Sequence, residues 1–264
     1  MTIDLSILSL LSMYALMLLP LAVFLYLQLG ITRQTVLAIV RMTAQLFLVG
    51  LYLKYIFQLN NPIASLAWVL IMLVVANLSI LNKAGLKRGL FFWRSLTGVA
   101  GSTLFSAGWF ILVAIRPEPL YDARYMVPIV GMILGNCLRS NVLSLERFYS
   151  GIRKNENEFM TYLMLGATLR EAVRPYLRDA LKAAINPSVA TMATMGIVSL
   201  PGMMTGQILG GAMPMEAIKY QIGIMICIFT AMVVAALINI LLSLQVAFDD
   251  HQRLRPEIFD LNYG

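Results

Sequence analysis

The sequence is poor in the groups that most enzymes need. Its 264 residues hold one histidine, two cysteines and 13 acidic side chains. A single histidine, His251, rules out an HExxH zinc site. No lysine is followed by Ser or Thr, so no phosphate loop of the GxxxxGK[ST] type exists and the chain cannot hydrolyse ATP by that route. No GxSxG elbow is present either. The cysteines, Cys137 and Cys227, both sit in apolar stretches and read as small buried hydrophobes rather than a disulfide or metal pair. Charge is scarce as well. Only 12% of residues are charged, against about 25% in soluble domains.

What is abundant is apolar surface. Hydrophobic residues make up 59% of the chain and mean hydropathy is +0.79. Such a chain cannot cover itself with water-facing groups, so the expected fold is an all-α, polytopic membrane helix bundle in one domain spanning 1–264. A helix needs about 20 apolar residues to cross the hydrocarbon. Seven segments meet that need: 5–30, 36–59, 63–81, 96–115, 125–145, 187–212 and 217–246. The turn Asn60-Asn61-Pro62 separates the second from the third. The first run has no basic n-region and no cleavage site, so it reads as a span rather than a removable signal peptide. A polar connector, 146–186, and a charged tail, 247–264, complete the chain. With the N-terminus outside, only Lys54, Arg116, Arg124 and Lys219 of the 20 cations stay outside. The positive-inside rule therefore favours N-out, C-in. The net charge of +7 then reports topology and lipid headgroups, not nucleic acid. The implied location is the cytoplasmic (inner) membrane.

In the connector, Thr168-Leu169-Arg170-Glu171 fits a capping box. Apolar residues follow at helical spacing beside a stripe of Arg170, Arg174, Arg178 and Lys182. Pro175 predicts a bend after Arg174, with a second helix ending near Asn186-Pro187. The stripe reads either as a membrane-surface helix on anionic lipid or as a docking element for a cytoplasmic partner. In the sixth span, Gly202, Gly206 and Gly210 recur every fourth residue beside Pro201. This pattern predicts close helix packing together with a break that lines a cavity or hinge. Gly131 and Gly135 form a second such seam.

Polar groups inside the spans are few, and no Asp or Glu lies at mid-span. This weakens a proton- or sodium-coupled carrier. Arg41 either snorkels to the inner edge or lines a polar path with Gln45. Asn77, Asn136, Gln207 and Asn239 bond across helices or line a pathway. Of 17 methionines, Met192, Met195, Met203, Met204, Met213 and Met215 cluster around the sixth span, as gap fillers or as soft-metal donors. Asp249-Asp250-His251 with Glu257 and Asp260 reads as a solvated tail or as a hard-cation site.

Several of these runs resemble one family. Gly166-Ala167-Thr168, the run from Arg178 to Pro187, the run from Gly196 to Gly206 and Ala217-Ile218-Lys219-Tyr220-Gln221-Ile222 are similar to the signature of the Fet-type ABC exporter permeases. Arg41 with Gln45, Lys54-Tyr55-Ile56-Phe57 and the run from Pro128 to Asn136 agree. The resemblance covers nearly the whole chain. It implies a permease that binds no cofactor itself and uses ATP through a separate cytoplasmic ATPase, two permeases joining two ATPases. Gly166, Ala167, Thr168, Leu169, Arg170, Glu171 and Arg174 would form the coupling helix. Arg41, Gln45, Asn136, Pro201, Gly202, Met203, Met204 and Gln207 would line the pathway or hinge. Gly-Ala-Thr also resembles the loop of ABC importer permeases, but Glu158 lies farther from Gly166 than that pattern expects. Iron or another metal is the cargo implied. Family members are also linked to aluminium tolerance and nucleotide sugar, so metal ligands stay open. The alternatives are an ATP-independent channel or carrier and, with least support, a membrane lipid enzyme.

Overall fold

A computed structural model describes residues 6–59, 61–249 and 251–259. Leu5, Asn60, Asp250 and Asp260 lie outside the described residues. The first expected span forms two short helices, α1 (Ile7–Ala15) and α2 (Leu18–Tyr26). They are followed by α3 (Thr32–Leu59), α4 (Pro62–Lys83) and α5 (Arg88–Trp109), which passes into a π-helical turn at Phe110–Ile115. Then come α6 (Ala123–Lys154), α7 (Glu156–Met164), α8 (Leu169–Thr194), α9 (Gly202–Leu209) and α10 (Pro214–Ala247). Among the described residues, six helical stretches are long and apolar enough to cross a membrane.

The sixth expected span, 187–212, is not one helix. α8 starts in the connector, runs through Pro175 and Pro187 without interruption, and stops at Thr194. The expected bend after Arg174 is therefore absent. One face of α8 buries Ala172 and Val173 before Pro175, then Ala180 and Ala184 after it. That continuous packing holds the helix across the hydrogen bond each proline removes. The chain then unwinds from Met195 to Pro201. Gly196 takes a left-handed φ of 87° and donates its N–H to Ser199 O at 2.9 Å. α9 restarts at Gly202.

Helix directions show how the broken segment is used. Ser140 and Tyr149 of α6 donate to Met232 O and Ser243 Oγ of α10, so the two helices run parallel. α5 runs opposite to α10, with Gly98 against Asn239 and Phe110 against Gly223. Two parallel neighbours require the chain between them to return. α8, the break and α9 make that return, packed along α6 and α10. α6 and α10, at 32 and 34 residues, are each about 50 Å long, well beyond a hydrocarbon core of about 30 Å.

The overhang gathers at one end, which also carries Lys83, Lys87, Arg88, Arg147, Arg153 and Lys154. Here lies a buried aromatic core, in which Phe91 and Phe148 pack edge-on to Tyr149 with ring centres 6.0 and 5.1 Å away, and Phe159 packs on Phe248 at 5.7 Å. Of the tail's described residues, Phe248 and Ile258 belong to it. Lys87 N–H donates to Ile258 O at 2.8 Å, Arg255 N–H donates to Ala247 O, and Ile258 is buried. α1–α3 lie outside this core. In α3 only Ile56 is buried, with Tyr52 stacked on Trp68 of α4.

Candidate functional site

Two features of α8 stand out, one at each end. At its start, the α7–α8 turn exposes Met164 (77%) and Leu165 (81%). Gly166, at φ 91°, turns the chain, and the N–H groups of Gly166 and Ala167 close the end of α7 on Leu163 O and Tyr162 O. Thr168 caps α8. Its Oγ1 accepts from Glu171 N–H, while Glu171 Oε2 accepts from Thr168 N–H at 2.8 Å and from its hydroxyl at 2.7 Å. The expected capping box is present. These hydrogen bonds hold the Glu171 carboxyl below its ordinary value.

Arg170, Arg174, Arg178 and Lys182 are all exposed. Leu177, Leu181 and Pro175 line a shallow groove between Arg174 and Arg178. The opposite face is fixed. Tyr176 donates to Asn155 O at 3.4 Å and sits edge-on to Phe159. The tip is thus an apolar knob beside a basic stripe on a rigid base.

At the other end of α8, a cavity of about 430 Å³ opens between the 195–201 break and α10. Met192, Met195, Pro201 and Met204 line it from one side, Gln221 and Met225 from the other. A second cavity of about 270 Å³ adjoins it and shares Met195 and Met225. Asn136, Arg139 and Ser188 line that one. Together they make a seam between α6, α8 and α10, reaching from the break toward Arg139.

The structure brings together part of the expected pathway set. Pro201 and Met204 reach the first cavity, and Asn136 the second. Asn136 spends its Nδ2 on Met132 O, within its own helix. Met203 packs against the core, and Gln207 Oε1 is enclosed without a partner. Arg41 and Gln45 do not join the seam. Both are exposed on α3. Among the described residues of the chain, Gly202 and Gly206 do not pack against another helix, since a Cβ at either would meet nothing within 4 Å. The close approaches are instead at Gly98 and Gly223. Sequence reading missed both, and it missed Gln221, Met225 and Arg139. The signal for Gln221 was a lone amide in an apolar run, one helical turn before Met225. Of the tail carboxylates, Asp249 accepts from the backbone N–H groups of His251 and Arg253, while Asp250 and Asp260 lie outside the described residues. Among the described residues, no three His, Cys, Asp or Glu side chains group to hold a metal.

Residues 7–248 match the Uncharacterised protein family (UPF0014). The chain belongs to the UPF0014 family. A UPF0014 membrane protein of Synechocystis is 38% identical over 227 residues, covering 86% of this chain and 87% of the relative. Protein ALUMINUM SENSITIVE 3 of Arabidopsis thaliana is 32% identical over 236 residues, covering 88% and 83%. The Escherichia coli protein named "Probable iron export permease protein FetB" is 29% identical over 215 residues, covering 81% of each. No solved structure matches. Membership and the six apolar helices make this UPF0014 chain a multi-pass membrane protein.

Proposed function

We propose that this UPF0014 chain is the membrane-spanning subunit of an ATP-driven metal exporter in the inner membrane. The ATPase is a separate cytoplasmic chain, and two copies of each make the working unit. One observation carries this reading. α8 is a single helix that joins an exposed docking tip to a break in the membrane bundle. Its 26 residues span about 39 Å. A push at Met164–Arg174 is carried toward Met195–Pro201 along the buried face from Ala172 to Ala184, which holds the helix together across Pro175.

The positive-inside rule puts the basic end, and the tip with it, in the cytoplasm. The exposed apolar pair Met164 and Leu165 suits a pocket on a soluble partner. The four cations beside it suit an acidic rim, which sets orientation and on-rate more than affinity. Iron as cargo is the reading supported by the name of the E. coli relative. Alternating exposure of the seam between α6, α8 and α10 follows from swinging the outer half of α8 and α9 against a fixed α10.

Co-purification with a phosphate-loop ATPase tests this. The unaltered chain is expected to hold the ATPase and to raise its turnover. Arg170→Glu with Arg174→Glu is expected to lose both while the chain still folds. Unchanged complex formation and turnover would overturn the docking assignment.

A further inference from the structure

The cavity beside the 195–201 break has a chemical character that the exporter reading alone does not explain. Its donors are four thioethers, Met192, Met195, Met204 and Met225, and one amide, Gln221. Among the described residues, no charged side chain lines it. Gln221 is 7% exposed, and its Oε1 has no hydrogen-bond partner. A buried acceptor left unpaired costs free energy, and an arriving cation would recover it. The methionines do not simply fill space, because they border open volume. Met232 shows the contrast: its sulfur accepts the Ser188 hydroxyl at 3.2 Å, so it is already engaged.

We infer that this cavity is a binding station for a soft, singly charged cation of the Cu(I) or Ag(I) class. Thioether sulfur is a soft ligand and prefers such ions to hard, oxygen-seeking ones. A site with no carboxylate provides no counter-charge, so burying a di- or trivalent ion there is costly. Arg139, in the adjoining cavity, adds to that penalty. The unwound stretch between α8 and α9 supplies the mouth, as broken helices do where irregular backbone lines a cavity. This assignment rests on the metal-exporter reading for its role in transport, but the binding itself requires no ATPase.

The test uses the full chain in lipid nanodiscs, with Cys137→Ala and Cys227→Ala to remove the competing thiols. Equilibrium dialysis against Ag⁺, Fe²⁺ and Mg²⁺, read as bound metal per chain, should give saturable Ag⁺ binding near one per chain, tighter than Fe²⁺, with no Mg²⁺ bound. Met195→Leu with Met225→Leu keeps volume and should weaken Ag⁺ binding by at least the roughly 10–100-fold that loss of a partner supporting a metal ligand costs. Gln221→Leu should weaken it less. Met232→Leu should leave it unchanged. Absence of saturable Ag⁺ binding, tighter Fe²⁺ binding, or an equal loss in Met232→Leu would each overturn the assignment. If these arms fail while ATP-driven iron efflux is measured, the exporter reading stands without this station. If Ag⁺ binds as expected but no ATPase partner engages the tip, the exporter reading fails alone.

Discussion

The two ends of α8 are built differently. The basic end is capped by Thr168 and Glu171, wedged by Tyr176 against Phe159 of α7, and set beside buried ring contacts of Tyr149 with Phe91 and Phe148 and of Phe159 with Phe248. The opposite end stops at a turn, faces two cavities, and hands over to the eight-residue α9, which buries no residue. Close packing resists deformation, whereas a helix end bordered by open volume can move at little cost. On the exporter reading proposed above, the packed end receives force and the open end yields.

The largest expected effect is at the receiving end. Reversing Arg170 and Arg174 to Glu should weaken ATPase binding by about tenfold or more, or 1.4 kcal/mol. A pull-down across a salt series checks this. Next is the contrast between packed and open glycines. A Cβ on Gly98 would lie 2.5 Å from Asn239 Oδ1. Gly98→Ala should therefore destabilise the bundle by about 1–3 kcal/mol. Gly206→Ala meets nothing and should be neutral or slightly stabilising, by up to about 1 kcal/mol. Thermal melts in detergent compare the two, and equal losses would break the distinction between the halves.

A smaller effect is expected from Tyr149→Phe. It removes the hydroxyl donated to Ser243 in the aromatic cluster, worth about 1 kcal/mol. The smallest effect concerns acid. Because the folded-state value for Glu171 is depressed, its contribution is present at neutral pH. It is lost only as pH falls through the ordinary carboxylate range and below. Hydrogen exchange at Leu169–Ala172 should speed up there in the unaltered chain. With Glu171→Gln, that acid-dependent change should disappear.

Much of the frame was legible from apolar run length alone, because a membrane helix must satisfy its own backbone. The break was legible too, from Pro201 beside Gly202. The path of α8 was not. Pro175 and Pro187 argue locally for interruption, and only the buried stripe from Ala172 to Ala184 overrides them. The glycine seam at Gly202 and Gly206 was misleading, since spacing shows where a neighbour could approach but not whether one does. At Gly98 the tight approach follows from a stripe of small residues, Ser95, Gly98, Ser102 and Ser106, meeting α10. The tail return, Lys87 to Ile258, pairs backbone groups distant in sequence, which no local pattern encodes. Arg41 and Gln45 are left exposed on α3, away from the seam.

The central claim is that α8 carries motion from the tip to the break. Spin labels at Ile197 in the break and Ile222 on α10, both exposed, would report it in the complex with the ATPase. The distance between them should change when nucleotide is trapped. It should stop changing when Ala183 and Ile185, in the middle of α8 and outside the docking stripe, are replaced by glycines, even though the ATPase remains bound. A distance that never changes during turnover, or that still changes with the softened helix, would contradict the account.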